Sequence, residues 1–176
     1  FTRAMSIDAL EDWRDDWTFG AEATLSLYSP PPQGTSFDPE ATLTRMKTRF
    51  DEYISQLDFE NGEYTFFFPP YSALYWNYAR EAGNAETYLA FKAYAEGKLL
   101  ECQNVRVFDF QNADFVTDLD NYKDYTHYAP EINDRMLGCF SSGEYLVTAP
   151  AEAEALAAKT DAQVTELLER YPQVPH

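Results

Sequence analysis

The run Glu63-Tyr64-Thr65-Phe66-Phe67-Phe68, stopped by Pro69-Pro70, constrains the fold of this chain more than any other feature. Proline has no amide hydrogen to give a strand ladder, so an extended run ends where the prolines begin. A short, aromatic-rich stretch that does not alternate with polar residues suits a strand covered on both faces, as parallel strands are. A second run, Val105-Arg106-Val107-Phe108-Asp109-Phe110, reads the same way. Helical stretches near residues 73–81 and 85–100, parted by Gly83, lie between the two. Two strands joined by that much helix are expected to pair in parallel, because a parallel connection must travel the length of the sheet and back.

The flanking segments extend this α/β reading. Ser6 can cap a helix that carries Ile7, Leu10, Trp13 and Trp17, and residues 18–36, with Pro30, Pro31, Pro32 and Gly34, then read as a long loop. Such a loop is a lid, or a cover for exposed sheet. Asp38-Pro39 starts a helix with a capping side chain followed by a residue whose φ is already fixed. Its stripe is Leu43, Met46, Phe50, Ile54 and Leu57, and Asn61-Gly62 turns the chain into the first strand. Beyond the second strand come an aspartate-rich loop to His127, a helix near 130–139 closing at Ser142-Gly143, and a strand-like Tyr145-Leu146-Val147. A last helix runs from about Ala151 to Tyr171, with Leu156, Val164, Leu167 and Tyr171 on one side. No linker divides the chain, so residues 1–176 are read as one domain. Two strands cannot cover their own faces and edges, so further strands are expected from another segment or from a second copy in a homodimer.

Composition narrows the function. Of 176 residues, 45% are apolar, enough for a core, and the formal charge of −17 is the wrong sign for neutralising phosphates. Nucleic acid is therefore not expected as a partner, nor is an anionic membrane surface. No apolar stretch approaches the length of a membrane span. Cys102 and Cys139 lack metal-site spacing and fit two free thiols, or one bridge in an exported protein.

In parallel sheets, functional groups gather beyond the carboxyl ends of the strands. Two loops qualify: Pro69-Pro70-Tyr71-Ser72, and residues 111–128, which hold Asp118, Asp120, Asp124 and His127. Asp124-Tyr125-Thr126-His127 is the most informative quartet. A general base for a serine is an imidazole held in one tautomer by an acceptor on its far nitrogen, and a carboxylate three residues earlier can curl back to be that acceptor. By itself the spacing also fits a plain turn cap.

Three words occur in order: Phe66-Phe67-Phe68-Pro69-Pro70-Tyr71-Ser72, then Val105-Arg106-Val107-Phe108-Asp109-Phe110, then Asp118-Leu119-Asp120-Asn121-Tyr122-Lys123-Asp124-Tyr125-Thr126-His127-Tyr128. Together they resemble the C-terminal half of SGNH/GDSL-type hydrolase-like proteins of bacterial envelopes, over roughly residues 38 to 148. The resemblance implies a flavodoxin-like sheet in three layers, of which this chain is the C-terminal part, and a cell-envelope location on the periplasmic or extracellular face. It implies an esterase or O-acyltransferase acting on a polymer or carbohydrate ester. The family's Asp-x-x-His block falls on Asp124 and His127, and no cofactor or metal is called for. Tyr71, Ser72, Asp120 and Tyr125 then become candidate substrate contacts. The family's Gly-Asp-Ser nucleophile block and its Gly-x-Asn-Asp oxyanion block are both missing, so the serine is expected from a preceding segment. Ser72 is the one serine in a suitable loop, but it does not open a helix at a sharp elbow.

Rival readings use the same residues. Asp118, Asp120 and Asp124 invite calcium, yet an EF-hand loop needs Gly and Glu where this chain has Lys123 and Ala129. Paired carboxylates also suggest a glycosidase, although acids are so plentiful that pairing means little without distances. Tyr71, Tyr75, Tyr78, Tyr122, Tyr125 and Tyr128 cluster near these loops, which suits a carbohydrate-binding or envelope-interaction module as readily as a wet core border.

Overall fold

A computed structural model describes residues 17–32 and 37–175. The helix expected from Ser6 therefore lies outside the described residues, apart from Trp17.

The chain is mixed α/β, with six helices and a two-stranded parallel sheet among the described residues. The sheet pairs β1 (Tyr64–Phe68) with β2 (Val105–Asp109), in a register that sets Tyr64 against Val105 and Phe68 against Asp109. Helices α3 (Ala73–Glu81) and α4 (Ala85–Leu100) make the crossover, as the long connection requires. Helix α2 (Pro39–Ile54) starts where the Asp38-Pro39 pair places it, the Asp38 carboxylate accepting from the Ala41 amide at 3.0 Å. It packs on α4 through Phe50 against Phe91, ring centroids 5.8 Å apart, but none of its residues is fully buried.

Opposite faces of the sheet meet different helices, because successive side chains on a strand point in opposite directions. Phe108 meets Phe140 of helix α5 (Pro130–Ser142) at 4.9 Å, within a core cluster that includes Phe110, Ile132 and Met136. Asp109, one residue on, instead receives Lys92 of α4. Helix α6 (Ala153–Arg170) closes over α3 and α4 and buries Leu156, Val164 and Leu167. Gly143 ends α5 at φ 81°, a left-handed position that glycine takes without the Cβ penalty.

Three expectations need correction. The 18–36 segment is not wholly loop: Ala21–Leu27 forms helix α1, whose N-terminus is held by the Asp120 carboxylate at 3.0 Å from the Ala21 amide. It packs on the 119–121 turn rather than over the sheet. Residues 145–147 make no strand but one antiparallel bridge, between Leu146 and Phe108, tied by Val147 N–H to the Val107 carbonyl at 2.8 Å. Tyr145 sits at φ 62°, which interrupts regular pairing. Finally, β1 is not covered on both faces by the described residues: Thr65 and Phe67 are exposed, Phe67 by 44%. The 145–147 segment covers the outer edge of β2, whereas no described strand pairs with the outer edge of β1. Cys102 and Cys139 are free thiols. No helix among the described residues is long and apolar enough to cross a membrane.

Candidate functional site

Past β2 the chain descends through three short 3-10 turns, Phe110–Asn112, Asp114–Thr117 and Leu119–Asn121. A bridge between Tyr122 and Tyr128 then pinches off residues 123–127, with Lys123 N–H donating to the His127 carbonyl at 2.9 Å. Asp124 organises this small loop. Its Oδ1 accepts the amides of Thr126 and His127, both at 2.9 Å, and the Thr126 hydroxyl at 3.0 Å. Its Oδ2 is 2.7 Å from His127 Nδ1. One carboxylate thus both caps the turn and orients the imidazole, which a carboxylate can do because it offers about four lone-pair sites.

Burial acts to raise the Asp124 carboxyl pKa, but the two amides and the imidazole outweigh it and hold the group below its ordinary value. Asp124 is therefore a standing anion beside His127 at neutral pH. The imidazole side chain is 55% exposed, and its Nε2 makes no hydrogen bond among the described residues. Trp17 meets the imidazole edge-on at 5.3 Å, and the Lys123 ammonium lies 4.1 Å from the Trp17 ring centre.

Of the other candidates, Ser72 is fully buried and its hydroxyl donates to the Tyr125 carbonyl at 2.9 Å. That corrects its reading as a substrate contact: it stitches the loop after β1 to the loop after β2. Tyr122 makes a second stitch, its buried hydroxyl donating to the Pro70 carbonyl at 2.8 Å. Asp120 is exposed and holds the start of α1 through one carboxylate oxygen. The Tyr125 ring lies flat on Tyr78, with centroids 5.6 Å apart and planes 7° apart, so it props the loop from inside. Tyr71 is half-buried against Tyr75 at 4.8 Å and lines a cavity. The three aspartates considered for calcium diverge: Asp118 takes Arg170 at 3.1 Å, Asp120 caps α1, and Asp124 holds His127.

A second charged constellation went unread in the sequence. Lys92 and Asp109 form a buried ion pair, the ammonium 2.7 Å from each carboxylate oxygen. The Gln111 amide and the Asn112 side chain complete the carboxylate's partners. Burial pulls the Lys92 pKa below its ordinary value even though Asp109 opposes it. Glu96, one helical turn on, is 1% exposed, and its Oε1 finds no partner among the described residues. Burial raises its carboxyl pKa, with Lys92 opposing. A carboxyl whose folded pKa is raised adds stability that is complete below its unfolded value and is lost as pH rises through the folded one. The pH window therefore opens near the ordinary glutamate value and extends upward. Glu96→Gln is expected to gain stability relative to the parent chain as pH rises from 4.5 to 7. Urea unfolding at several pH values checks this, and a constant difference across the window would contradict it. The sequence signal is a Lys and a Glu four residues apart in the middle of a helix, flanked by Leu89, Phe91, Ala93 and Ala95.

No protein-family model, curated protein or solved structure matches this chain.

Proposed function

We propose that this chain supplies the general base and its orienting carboxylate to an SGNH/GDSL-like serine esterase or O-acyltransferase acting on a carbohydrate or envelope-polymer ester. The observation that carries the reading is the 2.7 Å contact between Asp124 Oδ2 and His127 Nδ1, made by a carboxylate whose other oxygen is already fixed by three donors. So fixed, Asp124 keeps the proton on Nδ1 and leaves the Nε2 lone pair facing outward.

In this scheme Nε2 takes the proton from a serine hydroxyl as its oxygen attacks the ester carbonyl. The imidazolium is stabilised by Asp124, which stays ionised, and returns the proton to the departing alcohol. Water then releases the acyl group in an esterase, and an acceptor hydroxyl does so in a transferase. The serine comes from a segment outside residues 1–176. Strands of that segment would pair with the open edge of β1, completing a flavodoxin-like sheet with helices on both faces, and would cover Phe67. A parallel sheet left with a bare edge and an exposed aromatic has reason to be completed in this way.

A fluorophosphonate, which reacts only with a base-activated serine, tests the proposal on the protein that carries this chain together with its serine segment. Labelling is expected at a serine outside residues 1–176, and His127→Ala should slow it by about 10²–10⁴-fold. Labelling at Ser72, or at a rate indifferent to His127, would overturn it.

A further inference from the structure

We propose that Asn61–Gly62 is a site of spontaneous deamidation and that Asp58 is the latch holding the reaction back. Asn61 is exposed, in the corner that carries α2 into β1. It is the one asparagine of the chain that is followed by glycine. The neighbour matters because the following backbone nitrogen attacks the asparagine side-chain carbonyl carbon, and glycine has no Cβ to crowd that approach.

Packing in the corner demands this glycine. A Cβ on Gly62 would lie 2.7 to 2.9 Å from the ring and hydroxyl of Tyr64. Tyr64 is not free to move aside. Its hydroxyl accepts from the Asp58 amide at 3.2 Å, and its ring meets Phe59 at 5.1 Å and Phe66 at 6.2 Å. A reactive pair is therefore kept where a bulkier neighbour would have protected Asn61, and protection has to come from another residue.

Asp58 supplies it from both ends of its own structure. Its Oδ1 accepts the Asn61 backbone amide at 3.2 Å, and its two carboxylate oxygens accept the Asn61 side-chain amide at 3.2 and 2.9 Å. Its carbonyl accepts the Gly62 amide at 2.9 Å. One residue thus holds the group under attack and the nitrogen that would attack it. The contacts from Asn61 keep the Asp58 carboxyl below its ordinary pKa, so the latch is an anion at the neutral and alkaline pH where a base-promoted attack runs.

In the reaction, the Gly62 nitrogen gives its proton to base and bonds to Asn61 Cγ. The Cγ–Nδ2 bond breaks, and ammonia departs after taking a proton from water. Water then opens the cyclic imide at either carbonyl, which leaves aspartate or isoaspartate at position 61. The first step needs the Gly62 amide to leave the Asp58 carbonyl and the Asn61 amide to turn away from the carboxylate. The product sets a second negative charge where a donor had been, so Asp58 then repels what it formerly held.

The test is peptide mapping by mass spectrometry of this chain incubated at mildly alkaline pH, with synthetic asparagine, aspartate and isoaspartate standards. A free peptide of residues 59–64 is followed alongside. Folded parent chain is expected to react at Asn61 about tenfold more slowly than the peptide, the scale of the hydrogen bonds that must open. Asp58→Ala should remove most of that protection, and Asp58→Asn, which keeps one acceptor, should fall between. In urea, parent and Asp58→Ala should react alike, because the latch belongs to the fold. Asp38→Ala removes the cap at the far end of α2 and should leave the rate unchanged. A parent as fast as the peptide would overturn the proposal, as would an Asp58→Ala chain no faster than the parent. Equal acceleration by Asp38→Ala would overturn it too, since general fraying of α2 would then set the rate.

Discussion

Lys92→Met is expected to lower the unfolding free energy by about 3–5 kcal/mol, the cost of leaving a buried carboxylate without its cation. Methionine fills much of the lysine stem, so packing between α4 and the sheet survives and the loss is mainly electrostatic. Asp109 would keep the Gln111 amide and the Asn112 side chain, two neutral donors that cannot replace an ammonium 2.7 Å from each oxygen. Stabilities of 5–15 kcal/mol are usual for domains, so this change consumes a large share of what holds the chain folded. The double variant with Asp109→Asn should recover most of the loss, since no unpaired charge remains. Urea unfolding of the two single variants and the double gives the coupling directly. A loss below about 1 kcal/mol for Lys92→Met would mean that the pair is solvated and not a buried strut.

The other large effect concerns chemistry. In the protein bearing the serine, Asp124→Asn should lower ester turnover by about 10⁴-fold, the scale seen when a triad imidazole is held in the wrong tautomer. Asparagine keeps an acceptor for the Thr126 and His127 amides, so the loop should hold its shape. In place of the second oxygen it presents a donor, which forces Nδ1 to accept and moves the proton to Nε2. A base with its outward nitrogen already protonated cannot take the serine proton. Substrate affinity should be nearly unchanged, which separates this loss from unfolding. Turnover within about tenfold of the parent would show that Asp124 is only a turn cap.

How far these features could be read in the sequence depended on distance along the chain. The two strands were legible because aromatic runs ended on prolines or on turn residues, and α2 because Asp38 and Pro39 specify a helix start locally. Helix α1 was not. Its seven residues lack a side-chain cap of their own and take the Asp120 carboxylate from 99 positions away. The 145–147 segment was over-read because an apolar triplet says nothing of the positive φ at Tyr145. The spacing of Asp124 and His127 allows the carboxylate to reach the imidazole but equally fits a turn cap, and it is the resemblance of the surrounding words that singles out the pair. Nothing singles out Lys92 and Asp109, because their meeting depends on how α4 crosses the sheet. The stitching role of Ser72 was hidden for the same reason: its partner is the carbonyl of Tyr125, which no side-chain pattern reveals.

Whether Asp124 holds the His127 proton on Nδ1, leaving Nε2 to act as the base, is read by ¹⁵N nuclear magnetic resonance of the imidazoles at neutral pH. The chain has two histidines, so His127 is assigned by its loss in His127→Ala. Neutral His127 is expected to carry its proton on Nδ1, and Asp124→Asn to move it to Nε2. A His127 with its proton on Nε2, or with a tautomer ratio indifferent to Asp124→Asn, would mean that Asp124 does not orient the imidazole as a base.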